Sequence, residues 1–99
     1  MNEADPRLDA LWQALATVID PEIGLDIVTI GLVYGITIEH DVAHITHTLT
    51  TPGCPMEQYI TQGIREAVSL VHGLAGAETN LVWDPAWHAG MIARGALES

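Results

Sequence analysis

The sequence predicts an α+β fold, a two-layer α/β sandwich in which helices cover one face of a three-stranded sheet in the order α-β-β-α-β-(α). Apolar residues recur at steps of three and four near residues 8–19 and 56–71, which is typical of amphipathic helices. Between these segments, apolar and polar residues alternate on both sides of a polar turn, which indicates a β-hairpin. With 99 residues the chain has room for one domain, which we place at residues 1–99.

The first helix is predicted to run from Pro6 to Val18. Its stripe of apolar residues consists of Leu8, Leu11, Trp12, Leu15, Ala16 and Ile19. Asp5 supplies an N-cap before a proline at the first helical position. Asp20–Pro21 ends the helix, because a residue before proline is displaced from helical backbone angles. The apolar segment Ile27–Leu32 has no clear period, and we interpret it as a buried connector.

The hairpin is predicted from a strand at Val33–Glu39, a turn at His40–Asp41, and a strand from Val42 to Thr48 or Leu49. The alternation predicts that one face of the first strand carries Tyr34, Ile36 and Ile38. It predicts that one face of the second carries Ala43, Ile45, His47 and Leu49. One face of the hairpin therefore belongs to the core.

A second helix is predicted to begin near Cys54 and to end at a His72–Gly73 cap. Its apolar stripe consists of Met56, Ile60, Ile64, Ala67, Val68 and Val71. A third strand is expected from Glu78 to Trp83, and the tail from Gly90 to Leu97 is expected to be weakly helical.

Composition and charge exclude several classes of function. Three arginines against thirteen acidic residues give a net charge of -10, with no lysine, so nucleic acids and anionic membranes would be repelled. The longest uncharged apolar stretch, residues 27–38, is too short to span a bilayer, and the acidic N-terminus does not resemble a signal peptide. We therefore expect a cytoplasmic protein. The 48% of hydrophobic residues indicates a homodimer or a docking face.

Cys54 is the only cysteine, so any sulfur chemistry depends on it. Gly53 permits unusual backbone angles and Pro55 suits the first turn of a helix, which together place Cys54 at a helix start. Amide groups and the helix dipole stabilise an anion there, so the thiol should lose its proton more easily than a free cysteine. The alternative is that Cys54 is a small buried apolar residue.

Two further segments offer candidate ligands. Asp20 and Glu22 flank a proline and could bind a hard metal, anchor backbone amides or only end the helix. His88 is the histidine most suited to be a second ligand, whereas His47 is expected to be a satisfied core histidine. Trp87 could cover a pocket over Cys54 or plug the end of the sheet.

Three segments together resemble the SufT/PaaD-type family of iron–sulfur cluster assembly domains. They are the stretch from Asp20 to Val28 with Gly31–Tyr34, the stretch from Thr48 to Pro55 that includes Thr51 and Gly53, and Asp84–Trp87. The resemblance implies a small α/β domain that matures iron–sulfur enzymes. Cys54 matches the motif cysteine, Asp20 and Glu22 the acidic loop, and Trp87 the late tryptophan. Ala86, His88 and the polar His47 depart from the family pattern.

The resemblance and the residues lead to one main hypothesis and two alternatives. The main hypothesis is a non-enzymatic assembly factor whose Cys54 thiolate, with weaker contributions from Glu22 and His88, transiently holds iron, sulfur or a cluster for apoproteins and the assembly machinery. One cysteine cannot hold a cluster alone, since a [2Fe–2S] cluster normally takes four ligands. The alternatives are a metal-free protein–protein adaptor and a thiol enzyme, which would need a base beside Cys54 that no adjacent histidine supplies.

Overall fold

The computed structural model of the chain describes residues 5–92, apart from the side chain of Cys54. The elements are helix α1 (Pro6–Leu15), strands β1 (Val33–Glu39) and β2 (Val42–His47), helix α2 (Cys54–Ser69), strand β3 (Gly76–Leu81) and a 3₁₀ turn at Ala89–Met91. This order, and the small α+β fold that it forms, agree with the prediction. Within residues 5–92 no helix is long and apolar enough to cross a bilayer.

The sheet has the order β1-β2-β3, with β1 antiparallel and β3 parallel to the central strand. Helix α2 follows β2 and precedes β3 in the chain. Because these two strands are parallel, the helix must return the chain from the end of β2 to the end of the sheet where β3 begins. Its first residue therefore lies at the end of the sheet where β2 and β3 finish, next to the pair His47 and Leu81. This topology decides which loops surround Cys54.

The core lies between the sheet and the two helices. Both helices, the connector and the inner face of the hairpin contribute to it, and its fully buried members are Leu11, Leu15, Ile27, Ile30, Leu32, Ala43, Ile45, Ile60 and Ile64. The connector is therefore as buried as predicted. The predicted cap also forms, since the Asp5 side chain accepts a hydrogen bond from the amide of Arg7 at 2.9 Å.

Helix α1 is shorter than predicted, and the end of its apolar stripe is exposed. It stops at Leu15 because the amides of Thr17 and Val18 bond only three residues back, to the carbonyls of Ala14 and Leu15 at 3.1 Å each. Ile19 then leaves the helical path and pairs with Asp26 in an isolated bridge. Ala16 is exposed, and Trp12 and Ile19 keep 37% and 43% of their surface in solvent. These three residues were wrongly placed in the buried stripe.

The boundaries of three other elements also differ from the prediction. Strand β2 ends at His47, because the Thr48 amide bonds to the Leu32 carbonyl of the connector. Helix α2 ends at Ser69, before the predicted His72–Gly73 cap. Strand β3 covers residues 76–81 instead of 78–83, because its pairing with β2 already begins at residue 76. The predicted tail helix lies mostly outside the described residues.

A register shift in β1 corrects the predicted alternation of its faces. The shift lies between Val33 and Gly35, and it sets Val33 opposite the buried His47. Val33 consequently packs against the core, as do Ile36 and Ile38. Strict alternation would place Val33 on the opposite face of the strand from these two isoleucines. Tyr34 instead donates its hydroxyl to the Pro85 carbonyl at 2.7 Å.

Candidate functional site

The candidate site begins at the first turn of α2. Gly53 is the N-cap residue and provides no side-chain hydrogen bond, Cys54 opens the helix and Pro55 follows in the first turn. The Gly53 carbonyl accepts the first helical bond, from the Glu57 amide at 2.9 Å. Because no capping side chain fills this end, the helix start is open to an anionic group.

The acidic loop after α1 lies against the segment that leads into α2. The Thr51 hydroxyl donates to Glu22 Oε1 at 2.9 Å, and the Thr50 hydroxyl lies 3.4 Å from Asp20 Oδ2. These contacts join residues 29 and 30 positions apart in the sequence. The structure therefore brings together the two segments that the sequence singled out separately.

Asp20 is the buried anchor of this loop. Only 1% of its surface is exposed, and its Oδ1 accepts the Glu22 amide at 2.8 Å. Its backbone carbonyl also accepts the Gly24 amide at 2.7 Å, while its own amide donates to Leu25 at 2.9 Å. A carboxylate that accepts backbone amides in this way stabilises a turn.

Glu22 differs from Asp20 in exposure. Its side chain is exposed, and the bond from Thr51 fixes one carboxylate oxygen beside the loop that precedes Cys54. An exposed carboxylate can accept a cation without the cost of uncovering a buried group. Of the two acidic residues, Glu22 is therefore the better placed to meet a metal.

Trp87 and His88 make their described contacts elsewhere. The Trp87 indole N–H donates to the Ile30 carbonyl at 2.6 Å, and its ring packs against the core, which suits the plug that the sequence offered as one alternative. His88 is exposed, and its Nδ1 accepts the Gly90 amide at 3.1 Å. Among the described hydrogen bonds, neither residue is connected to Glu22 or Thr51. Their predicted roles at the site stay predictions.

His47 is buried as predicted, but it is not satisfied. Its Nδ1 lies 3.3 Å from the Thr48 carbonyl, whereas its Nε2 and the Thr48 hydroxyl have no hydrogen-bond partner in the described part of the chain. Burial lowers the pKa of His47, with the Thr48 carbonyl and the Glu57 carboxylate opposing the shift, so the ring is held neutral. The sequence signal was a histidine on a face that is otherwise apolar.

The described side chains do not form a complete metal site. Among residues 5–92, without the Cys54 side chain, no three histidine, aspartate or glutamate residues are grouped closely enough to hold a metal ion. A cluster with four protein ligands therefore needs donors beyond this set.

Comparison with known proteins gives a consistent family. Residues 8–80 match the family described as "Iron-sulfur cluster assembly protein". The chain is 39% identical over 82 residues to the Fe-S protein maturation auxiliary factor YitW of Bacillus subtilis. The aligned region covers 82% of this chain and 80% of that protein. It is also 39% identical over 78 residues to the Fe-S protein maturation auxiliary factor SufT of Staphylococcus aureus, covering 78% of this chain and 89% of the relative.

A solved structure supports the same family. The crystal structure of a domain of unknown function, DUF59, from Bacillus anthracis superimposes with a TM-score of 0.86 and 38% sequence identity, covering 93% of this chain and 89% of that one. The resemblance to SufT/PaaD-type domains is thereby confirmed. The chain belongs to the iron–sulfur cluster assembly protein family.

Proposed function

We propose that this chain is a non-enzymatic maturation factor for iron–sulfur proteins, in which the Cys54 thiolate transiently holds iron, sulfur or a cluster as cargo for an apoprotein. The observation that carries the proposal is the start of α2 at Cys54, within a chain whose residues 8–80 match the assembly family. The names of its relatives, Fe-S protein maturation auxiliary factors, support the general role.

The electrostatics of the helix start favour a metal cargo that is not held tightly. The uncapped first turn favours the thiolate over the thiol. Glu22 accepts the Thr51 hydroxyl just before α2, and Glu57 lies in the first turn of α2, so two exposed carboxylates add negative charge near the helix start. This negative charge works against the thiolate, so the dipole and free amides of the helix start must outweigh it for the thiol to ionise more easily, and it attracts an iron cation. The cargo is then held only by a balance between the helix start and the nearby carboxylates, and such weak binding suits a protein that passes its cargo to an apoprotein.

The ligand count also supports a transient cargo. The chain has one cysteine, and its weaker candidate ligands are Glu22, from the acidic loop that the resemblance covers, and His88, which departs from the family pattern. A cluster would need further ligands from a second Cys54, a small thiol or the client apoprotein. An incomplete ligand set makes the cluster labile, and transfer to a client with four ligands is then favourable.

The test is reconstitution of the protein with ferrous iron and sulfide in the absence of oxygen, followed by absorption spectra and iron analysis. We expect charge-transfer absorption in the wild type and its loss in Cys54→Ser. His88→Gln should lower iron occupancy less than Cys54→Ser does, and His72→Gln, an exposed histidine beyond the opposite end of α2, is the matched control. No iron in the wild type would contradict the proposal and favour a metal-free adaptor.

A further inference from the structure

An apolar groove lies between residues 17–19, which follow α1, and the outer side of α2. It has a volume of about 430 Å³, and the residues that carry the argument are Thr17, Ile19, Tyr59, Gln62, Glu66 and Leu70. Its floor is closed by the close approach of Val18 and Gly63, where a Cβ on Gly63 would come within 2.9 Å of Val18 Cγ1. The groove is open to solvent along its length.

The exposed apolar side chains of the described residues are concentrated there. Five large hydrophobic residues are exposed between residues 5 and 92, and three of them line this groove. Ile19, Tyr59 and Leu70 keep 43%, 53% and 78% of their surface in solvent. Single exposed hydrophobic residues are ordinary, but three that share one groove indicate a binding surface.

The charges around the groove select its occupant. Glu66 is the charged residue of the lining, and Gln62 donates to its Oε2 at 3.1 Å. Both arginines of the described chain are committed elsewhere, since Arg7 bonds Asp5 and Asp41 and Arg65 bonds the Ala77 carbonyl. With a net charge of -10, a second copy would bring mainly repulsion, whereas a basic partner is attracted.

We infer that this groove binds a basic amphipathic helix of a partner protein. From Tyr59 to Leu70, the C-cap residue of α2, the groove follows eleven helical residue steps, or about 16 Å at the helical rise of about 1.5 Å per residue, which is enough for about three turns of an occupant. Leucine-like side chains of the occupant fill the groove, and an arginine or lysine at its edge pairs with Glu66. This interaction does not depend on Cys54.

The experiment uses two synthetic peptides and the protein without iron or sulfide. Both peptides are 14 residues long with leucines on one helical face, and the other face carries arginines in one peptide and glutamates in the second. Backbone amide shifts are followed by NMR during titration. We expect the arginine peptide to shift amides of the groove, and the glutamate peptide to have no effect.

Variants at exposed positions connect the binding to the groove. Leu70→Ser should weaken binding of the arginine peptide about tenfold and Glu66→Gln about twofold to fivefold. Trp83→Ser removes a hydrophobic residue that is 47% exposed outside the groove, and it should leave binding unchanged. Because all of these residues are exposed, the variants should fold.

Three results would overturn the inference. They are no binding of the arginine peptide at millimolar concentration, equal binding of the two peptides, and groove shifts that depend on protein concentration alone, which would assign the groove to a second copy. Because iron is absent throughout, each of these results leaves the proposed cargo role of Cys54 intact.

Discussion

Replacing Asp20 by asparagine separates an anchoring role from a metal-binding role. Asp20 is 1% exposed and accepts hydrogen bonds from the Glu22 amide at 2.8 Å and from the Thr50 hydroxyl at 3.4 Å. Asparagine keeps one acceptor oxygen but loses the charge that strengthens both bonds. We expect a loss of about 1 to 2 kcal/mol in the free energy of unfolding. For a domain of this size, that corresponds to a fall in Tm of roughly 5 to 15 °C.

The matched variant is Glu22→Gln. Glu22 is exposed and its described side-chain contact is the Thr51 hydroxyl, so its change in stability should stay within about 0.5 kcal/mol. Calorimetry and anaerobic iron binding are measured on both proteins. We expect Asp20→Asn to lower Tm and retain iron, and Glu22→Gln to retain Tm and lose part of the iron. An unchanged Tm with lost iron in Asp20→Asn, or equal behaviour of the two variants, would refute this division.

Three further predictions concern a buried histidine, the cysteine and a helix contact. Burial lowers the pKa of His47 below its ordinary value of 6.5, so the unfolded state binds the proton first and stability falls as pH drops below about 6.5. In urea unfolding at several pH values, His47→Leu should remove this dependence on pH and add about 1 kcal/mol to the free energy of unfolding, because it deletes a buried Nε2 that has no partner among the described residues. His44→Gln should keep the dependence on pH. The rate of Cys54 alkylation should reach half its maximum at a lower pH than that of a free cysteine, and an equal or higher midpoint would remove the activated-thiol argument. Gly63→Ala should destabilise the chain by about 1 kcal/mol because of the 2.9 Å approach to Val18, and Val18→Ala in the same chain should recover part of the loss if that contact is the cause.

The hairpin was predictable because its signals are local. Alternation gave β1 its bounds, and the two turn residues His40 and Asp41 adopt positive φ angles of 51° and 63°, as a tight turn between the strands requires. The end of α1 was not predictable in the same way. The helical spacing of apolar residues continues to Ile19, but Ile19 pairs with Asp26 because the following loop folds back. The spacing of apolar residues carries no information about that loop.

The start of β3 and the composition of the site depend on distant residues. Gly76 is a poor strand former, and it belongs to β3 because it pairs with Val42 of the central strand. The motif around Cys54 was visible in the sequence, since a proline and a glycine beside a cysteine mark a helix start. Its contact with the acidic loop, through Thr51 and Glu22, joins residues 29 positions apart and follows only from the topology.

The measurement that tests the central claim most directly is transfer of cargo to a client. The wild-type protein, reconstituted with iron and sulfide without oxygen and freed of excess reagents, is mixed with an apoprotein that requires a cluster, and client activity is followed over time. The account predicts activation by the loaded wild type and none by Cys54→Ser treated identically, with His72→Gln equal to the wild type. Activation by Cys54→Ser at the wild-type rate would contradict the claim that the thiolate at the start of α2 holds the cargo.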